Sequence, residues 1–243
     1  MQLIKLSAID STNDFLKERS KNQVLENFTT VVTETQTKGR GQMGASWVSE
    51  SGKNLIMSVL VKDVIVNPDV VFQLNVAVAL SVIEVLENLQ IPNLAIKWPN
   101  DILSDEKKVA GILIENRFKS DAKIESVVGI GLNVNQKDFT LLPKASSLSL
   151  LMKEEFDIDE LLKAVVSRIQ QNCELVTAYS GQKLWRRYLD YLFKKDVEML
   201  FEGADKNRFH GTILGVTSEG KLEVMLQDKR IQTFGIKELQ MFY

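Results

Sequence analysis

The residues most able to do chemistry begin with a glycine-rich segment, TKGRGQMGASW, at positions 37–47. Three of the chain's 13 glycines fall there, beside Lys38 and Arg40. Glycine loses more backbone entropy on ordering than other residues, so the loop must need special turns or a close approach to bare backbone. Its spacing matches neither the dinucleotide fingerprint nor the P-loop. Backbone N–H groups aided by Arg40 could hold an anion, and a mobile surface loop is an equal alternative.

A second group of polar residues falls where strands are predicted to break or end. KWPND at 97–101 contains a proline, which forces an irregular backbone and frees its polar neighbours from the sheet. KKVAGILIE at 107–115 opens with two lysines before a strand, and GIGLNVN at 129–135 ends another strand. Taken singly, Lys97 and Lys108 could be charges exposed to solvent, and Gly129 and Gly131 could mark a β-bulge. Their occurrence together, after the glycine-rich loop, favours one functional site.

Composition excludes several classes of function. The single histidine, His210, and the single cysteine, Cys173, argue against a histidine-based centre, a cysteine-rich zinc site and an internal disulfide. Cys173 lies in a helical pattern and is expected to be a packed thiol. A net charge of −2 gives no basic excess for nucleic acid. The chain has no apolar run near the roughly 20 residues of a membrane span and no secretion signal, so we expect a cytoplasmic protein.

Hydrophobic periodicity predicts an α/β chain. A helix is expected to begin at Ser11, with Phe15 and Leu16 facing inward, because Ser11 and the residues after it resemble a capping box. Further helices are predicted at 68–89, 157–180 and 183–193. Strands are predicted at 29–36 and 53–61, and as a series joined by short polar turns, one of them at 119–123, over 94–135. Short turns make neighbouring strands antiparallel.

The pattern changes near residues 193–195, where helical periodicity gives way to short strands with glycine turns. We therefore predict two domains, a catalytic domain at 1–193 and a small β-barrel at 194–243.

The ordered motifs resemble those of the biotin protein ligases (biotin–acetyl-CoA-carboxylase ligases), in their short, monofunctional form. The resemblance is strong from Ile9 to Asn135 and rests beyond it only on length and β character. It implies a core like that of class II aminoacyl-tRNA synthetases, a mixed, largely antiparallel sheet flanked by helices, with a small C-terminal β-barrel. The motifs that carry it are STN at 11–13, TETQTKGRGQMGASW at 33–47, KWPND at 97–101, KKVAGILIE at 107–115 and GIGLNVN at 129–135.

The resemblance implies a two-step reaction with ATP, biotin and Mg²⁺. The biotin carboxylate attacks the α-phosphorus of ATP, which gives biotinyl-5′-AMP and pyrophosphate. A lysine amine on the biotin carboxyl carrier domain of a carboxylase then attacks the acyl carbonyl, and AMP leaves. The resemblance also allows a homodimer, but no residue of this sequence provides evidence for one. Both steps develop negative charge on oxygen, which cations and N–H donors stabilise.

Three residues are implied to act on the reacting groups. Lys108 would lie between the carboxylate and the α-phosphate, and Arg40 would contact the phosphate of the adenylate. Asp101 would bind Mg²⁺ or orient the incoming lysine, and the sequence does not separate these two roles. Many members carry arginines where this chain has Gln42 and Ala45, so the resemblance leaves open how tightly biotinyl-AMP is held.

Binding residues are implied in the same way. Asn133 would contact adenine, and Trp47 and Trp98 would form walls of the pocket. The residues implied to bond the ureido ring of biotin are Ser11, Thr12 and Gln36. The other residues implied to bind biotin or the nucleotide are Asn13, Gly39, Gly41, Gln42, Lys97, Asn100, Gly111 and Gly131.

Two alternatives compete with this interpretation. A lipoate or octanoate transferase on the same core would need a reactive cysteine near the site, and Cys173 is far along the chain. A non-catalytic protein that senses biotin or its adenylate would not need both Lys108 and Arg40.

We expect no operator binding, with or without biotinyl-AMP. The first motif begins at Ser11, which leaves no room before it for a helix-turn-helix, and the net charge is −2. A mobility-shift experiment at low salt is the strictest measurement, because electrostatic affinity for DNA is largest there. Sequence-specific retention that survives a rise to physiological salt would contradict the monofunctional interpretation.

Overall fold

The computed structural model describes residues 2–65, 67, 71–118, 124–177 and 181–243. Its first strands and helices, in chain order, are β1 Leu3–Ile9, α1 Thr12–Asn22, β2 Thr30–Gln36, β3 Asn54–Lys62, α2 Phe72–Asn88, β4 Leu94–Lys97, β5 Asp101–Ser104, β6 Lys107–Phe118 and β7 Ile124–Asn133. Those that follow are α3 Leu148–Met152, α4 Ile158–Thr177, α5 Gly181–Asp190, β8 Glu198–Gly203, β9 Arg208–Val216, β10 Leu222–Leu226, β11 Ile231–Phe234 and β12 Leu239–Phe242.

Within the described residues, seven strands form one large sheet in the order β1-β2-β3-β7-β6-β5-β4. Strands β1 and β2 are parallel, and every other neighbouring pair is antiparallel. The predicted mixed, largely antiparallel sheet is thus confirmed. The sequence patterns did not predict β1, an edge strand without a clean alternation of buried and exposed residues. The predicted turn at 119–123 lies outside the described residues.

Helix α2 fills the space behind this sheet and is buried on nearly every side. Such an all-round apolar helix belongs in a core, and α2 packs with α4, α5 and strands of the sheet in one cluster. Its predicted first residues, 68–70, and the predicted end of α4, 178–180, lie outside the described residues. Cys173 of α4 is buried in this cluster, and burial together with the charge of Glu174 raises the pKa of its thiol to about 12.

Helix α1 begins as the sequence predicts. The Ser11 hydroxyl oxygen accepts a hydrogen bond from the Asp14 backbone N–H at 3.3 Å, and Leu16 is fully buried. A serine cap satisfies a backbone donor that the first helical turn leaves unpaired. The cap therefore fixes where the helix starts, and with it the direction in which residues 11–13 face.

The last five strands form an antiparallel sheet in the order β11-β10-β9-β8-β12. The predicted short strands are confirmed, but the pairing recorded among the described residues does not join β11 to β12, so the expected closed barrel is not formed by this sheet. The division into domains at 193 and 194 remains a prediction. Among the described residues, no helix is both long enough and apolar enough to cross a membrane.

Candidate functional site

A cavity of about 230 Å³ opens on the face of the large sheet opposite α2. Strands β3, β6 and β7 form its floor, and α1 and the loop after β2 form its sides. Most of the residues predicted from the motifs line it together: Ser11, Thr12, Asn13, Gln36, Arg40, Gly41, Gln42, Trp47, Asn100, Asp101, Lys108, Gly111 and Gly131. Gly39, Lys97, Trp98 and Asn133 do not line it.

The floor of the cavity is a pair of glycines that face each other across β6 and β7. Gly111 and Gly131 are direct cross-strand partners, and the indole of Trp47 lies over them. A Cβ atom added to Gly131 would lie 2.4 Å from Cε2 of Trp47, and one added to Gly111 would lie 3.1 Å from Cζ3. The indole can therefore approach the sheet this closely only because neither strand carries a side chain there.

The nitrogen of this indole is a buried hydrogen-bond donor. Trp47 Nε1 is buried and has no hydrogen-bond partner among the described residues. A buried donor without a partner carries a free-energy cost, which a ligand with an acceptor at this place would remove.

The Lys108 ammonium stands beside this floor and carries the positive charge nearest to it. Its Nζ lies 2.7 Å from Oδ1 of Asp101 and 5.5 Å from the centre of the Trp47 ring. The Lys108 backbone N–H donates to the Lys144 carbonyl at 2.8 Å, which fixes the start of β6. The neighbouring Lys107 is exposed and does not line the cavity. The site therefore holds one directed ammonium group with a carboxylate counter-ion, a pair able to stabilise an oxyanion.

A chain of buried and half-buried hydrogen bonds forms one side of the cavity. Gln36 Oε1 accepts from the Thr12 backbone N–H at 2.8 Å and from its hydroxyl at 3.0 Å. Ser58 Oγ then lies 2.7 Å from Thr12 Oγ1 and 2.6 Å from Asn13 Oδ1. A Cβ on Gly129 would lie 2.4 Å from this Asn13 oxygen. Because buried polar groups must stay paired, a ligand bound here has to offer matching donors and acceptors.

Arg40 lies in a cluster of alternating charges. Its Nη1 lies 2.5 Å from Asp14 Oδ1 and its Nη2 lies 3.2 Å from Glu115 Oε1. Lys17 Nζ reaches the same two carboxylates, at 2.7 Å and 2.9 Å. Burial raises the pKa of Glu115, but hydrogen bonds from Lys17 and Asn13 outweigh it and leave the pKa below its usual value. Both carboxylates are thus anionic at neutral pH.

The motif analysis missed Ser58, Glu115, Asp14 and Lys17. Ser58 and Glu115 each have a sequence signal, since side chains two apart on a strand share one face. Ser58 is two residues beyond Ile56, which lines the cavity, and Glu115 is two beyond Leu113, which also does. Asp14 follows the STN motif directly but does not itself line the cavity.

The glycine-rich loop folds back on itself instead of leading into a long helix. The Trp47 backbone N–H donates to the Gly39 carbonyl at 3.0 Å, and a Cβ on Gly39 would lie 2.3 Å from the Trp47 carbonyl oxygen. Close backbone approach therefore explains this glycine. At the tip, Met43 has a positive φ of 50°, and its carbonyl accepts a hydrogen bond from Lys237 of the C-terminal region.

Three predicted residues serve other contacts. Trp98 is buried, and its indole N–H donates to the Gly220 carbonyl at 2.9 Å, so it packs on the C-terminal sheet instead of walling the cavity. The Lys97 ammonium lies 4.9 Å from the centre of the Tyr243 ring. Asn133 is buried, and its side-chain amide donates to the backbone carbonyl of Ser146 at 3.0 Å.

The part of the chain that the structure describes contains no cluster of three or more histidine, cysteine, aspartate or glutamate side chains that could hold a metal ion alone. Asp101 is the one carboxylate among the described residues that line the cavity. One carboxylate suits Mg²⁺ that arrives with a nucleotide, since that ion usually takes one or two carboxylates and completes its shell with phosphates and water.

Comparisons with known proteins agree with this geometry. The model of the biotin/lipoate A/B protein ligase family matches residues 6–135. The chain is 34% identical over 194 residues to the biotin–acetyl-CoA-carboxylase ligase of Mycobacterium tuberculosis, covering 75% of this chain and 71% of that protein. It is 31% identical over 240 residues to the bifunctional ligase/repressor BirA of Bacillus subtilis, covering 90% and 68%. The solved biotin protein ligase of Aquifex aeolicus in complex with biotin and ATP has a TM-score of 0.80 and 29% identity, covering 99% and 98%.

Gly131→Ala should displace the Trp47 indole from the floor, because the new Cβ would lie 2.4 Å from its ring. We expect a shift of the Trp47 fluorescence to longer wavelength, isolated by measuring each variant with and without Trp47→Phe. Gly181→Ala is the matched control, since its Cβ would meet the nearest atom at an ordinary 3.7 Å. An unchanged Trp47 spectrum in Gly131→Ala would show that the indole does not rest on the glycine pair.

Proposed function

The chain belongs to the biotin/lipoate A/B protein ligase family, and we propose that it is an ATP-dependent biotin protein ligase. It activates biotin with ATP to biotinyl-5′-AMP and transfers the biotinyl group to a lysine of a carrier domain. The observation that carries this proposal is one cavity that holds the Lys108–Asp101 pair beside a buried hydrogen-bonding wall. A ligand with a polar ring at one end and a carboxylate at the other matches both parts.

The buried wall is the proposed site of the ureido ring of biotin. Ser11, Thr12 and Gln36 present two hydroxyl groups and an amide within one stretch of the cavity. A biotin analogue without the ring N–H groups would leave these polar groups unpaired. The site should therefore reject that analogue far more strongly than one that lacks only a methylene.

Lys108 is proposed to stabilise adenylation. An oxygen of the biotin carboxylate forms a bond to the α-phosphorus of ATP, and the bond to pyrophosphate breaks. Negative charge collects on the phosphoryl oxygens, where a fixed ammonium group lowers the barrier. Asp101 keeps this ammonium directed at 2.7 Å before the substrates arrive. Arg40 is proposed to contact the same phosphate once the loop closes over the adenylate.

The second step needs the acceptor lysine as a neutral amine. Its nitrogen attacks the acyl carbonyl, the amine proton is released, and the bond to AMP breaks. We propose that Asp101 orients this amine, or holds the Mg²⁺ that accompanies ATP and neutralises its phosphates. Asn100, Gln42, Trp47, Gly41 and Gly111 would surround the adenylate as lining residues. The acceptor we propose is the biotin carboxyl carrier domain of a biotin-dependent carboxylase, and the location is the cytoplasm.

An acyl-transferase mechanism through cysteine finds no support in the fold. Cys173 is buried in α4, among the residues that pack against α2, and does not line the cavity. Burial raises the pKa of this thiol to about 12, whereas a cysteine nucleophile needs its thiolate.

The proposal is tested by pyrophosphate release from ATP. We expect release that depends on biotin, and transfer of biotin to a carrier domain that is lost when the target lysine is replaced. Release with lipoate or octanoate in place of biotin would identify a different ligase on the same core.

Lys108→Ala should lower the rate of adenylation by about 10²–10³-fold, the usual loss when one transition-state donor is removed. Biotin binding, measured by calorimetry without ATP, should change much less. Lys107→Ala is the matched control, because Lys107 is the exposed neighbour outside the cavity. Near wild-type adenylation by Lys108→Ala would remove Lys108 from the mechanism.

A further inference from the structure

Arg40 and Lys108 both line the cavity, but different carboxylates hold them. Glu115 is four residues beyond Gly111 along β6, which at 3.3 Å per residue places their Cα atoms about 13 Å apart. The Lys108 ammonium lies 3.1 Å from the Cβ position of Gly111, whereas the Arg40 guanidinium lies 3.2 Å from Glu115. The two cations are therefore held by different partners along β6. A guanidinium paired with two carboxylates must give up part of those hydrogen bonds before it can donate them to a phosphate.

We propose that Asp14 and Glu115 are positioning residues that hold the Arg40 guanidinium in ion pairs until a nucleotide draws it away. This inference rests on the proposed function, in which Arg40 contacts the adenylate phosphate. Neither carboxylate lines the cavity. They act on the reaction only through Arg40, by setting how readily its guanidinium leaves.

Lys17 lowers the free-energy cost of moving the Arg40 guanidinium away from these carboxylates. Its ammonium lies 2.7 Å from Asp14 and 2.9 Å from Glu115, so both carboxylates keep a counter-ion when Arg40 departs. The Arg40 side chain is 45% exposed, Asp14 is 48% exposed and Glu115 is 23% exposed. Ion pairs in which one partner is this exposed to solvent are weak. A negatively charged phosphate can therefore compete with them.

Glu115 also connects Arg40 to the buried wall of the cavity. Its Oε2 accepts a hydrogen bond from Asn13 Nδ2 at 2.9 Å, and Asn13 in turn lies 2.6 Å from Ser58. The carboxylate that holds Arg40 is thus shared with the hydrogen-bond chain that leads to Thr12. Glu115→Gln keeps an oxygen for Asn13 and removes the charge that pairs with Arg40 and Lys17.

The first measurement needs no ligand. We expect Asp14→Asn and Glu115→Gln each to speed cleavage after Arg40 by an arginine-specific protease about two- to fivefold, the range that a weak, half-exposed ion pair gives. The rate is followed by mass spectrometry at this one bond. Glu18→Gln is the matched control, because it removes the same charge from α1 and its pair with Lys21 is far looser, at 3.7 Å.

The second measurement is the apparent KM for ATP in pyrophosphate release. Asp14→Asn and Glu115→Gln should lower this KM about two- to fivefold while kcat changes less than twofold. Lys17→Gln should raise it, because the carboxylates then have only Arg40 as a counter-ion. In an Arg40→Ala background all three effects should disappear, since residues that act through a shared partner are not additive.

The two measurements separate this inference from the proposed function. Faster cleavage in both carboxylate variants supports the hold on Arg40, whether or not the enzyme releases pyrophosphate. Absence of biotin-dependent pyrophosphate release in the wild type would overturn the proposed function alone. Cleavage rates equal to the wild type overturn the inference, whatever the activity. A KM effect that persists without Arg40 also overturns it.

Discussion

The close approach of the Trp47 indole to bare backbone at Gly111 and Gly131 is the constraint on which the site depends. Two adjacent antiparallel strands omit their side chains at one register, and the central sheet gains a flat depression there. A loop can then lay an aromatic ring on the sheet without leaving the core side unpacked. Had either position carried a methyl group, the ring and the loop that bears it would have to rise.

A depression in a sheet is stable only when the other face is firmly packed. Here α2 supplies that support, since nearly all of its residues are buried between the sheet and the helices α4 and α5. Burial of large aliphatic side chains contributes about 1.5–3 kcal/mol each. The cavity face of the sheet can therefore use its hydrogen-bonding groups for ligand recognition, while the face packed against α2 stabilises the fold. Strands β3, β6 and β7 divide these roles between alternate residues, as the pleat of a sheet requires.

The sequence allowed the strands after β1 and the cap at Ser11 to be predicted, because these follow from local periodicity and capping. Most of the cavity residues were predicted from the resemblance of the ordered motifs to those of a known family. It did not allow the placement of Trp98. A tryptophan before a proline can turn to either side of the bend, and only the three-dimensional fold brings the Gly220 carbonyl to it. Glu115 was missed for a related reason. A charged residue late in a strand normally faces solvent, and its role depends on Lys17 and Arg40, which are far away in sequence.

The hydrogen bond from Trp98 to the Gly220 carbonyl has a consequence for recombination between relatives. Trp98 and Asn100 lie in the short turn that leads into β5 at Asp101, so the C-terminal region is anchored within three residues of the cavity wall. A chimera that took its last strands from another member of the family would need a carbonyl group at this same point. Without one, the indole N–H would be left buried and unpaired, at a cost of about 1–3 kcal/mol. The two sheets therefore have to fit each other at this contact, although they are separate in the order of the chain.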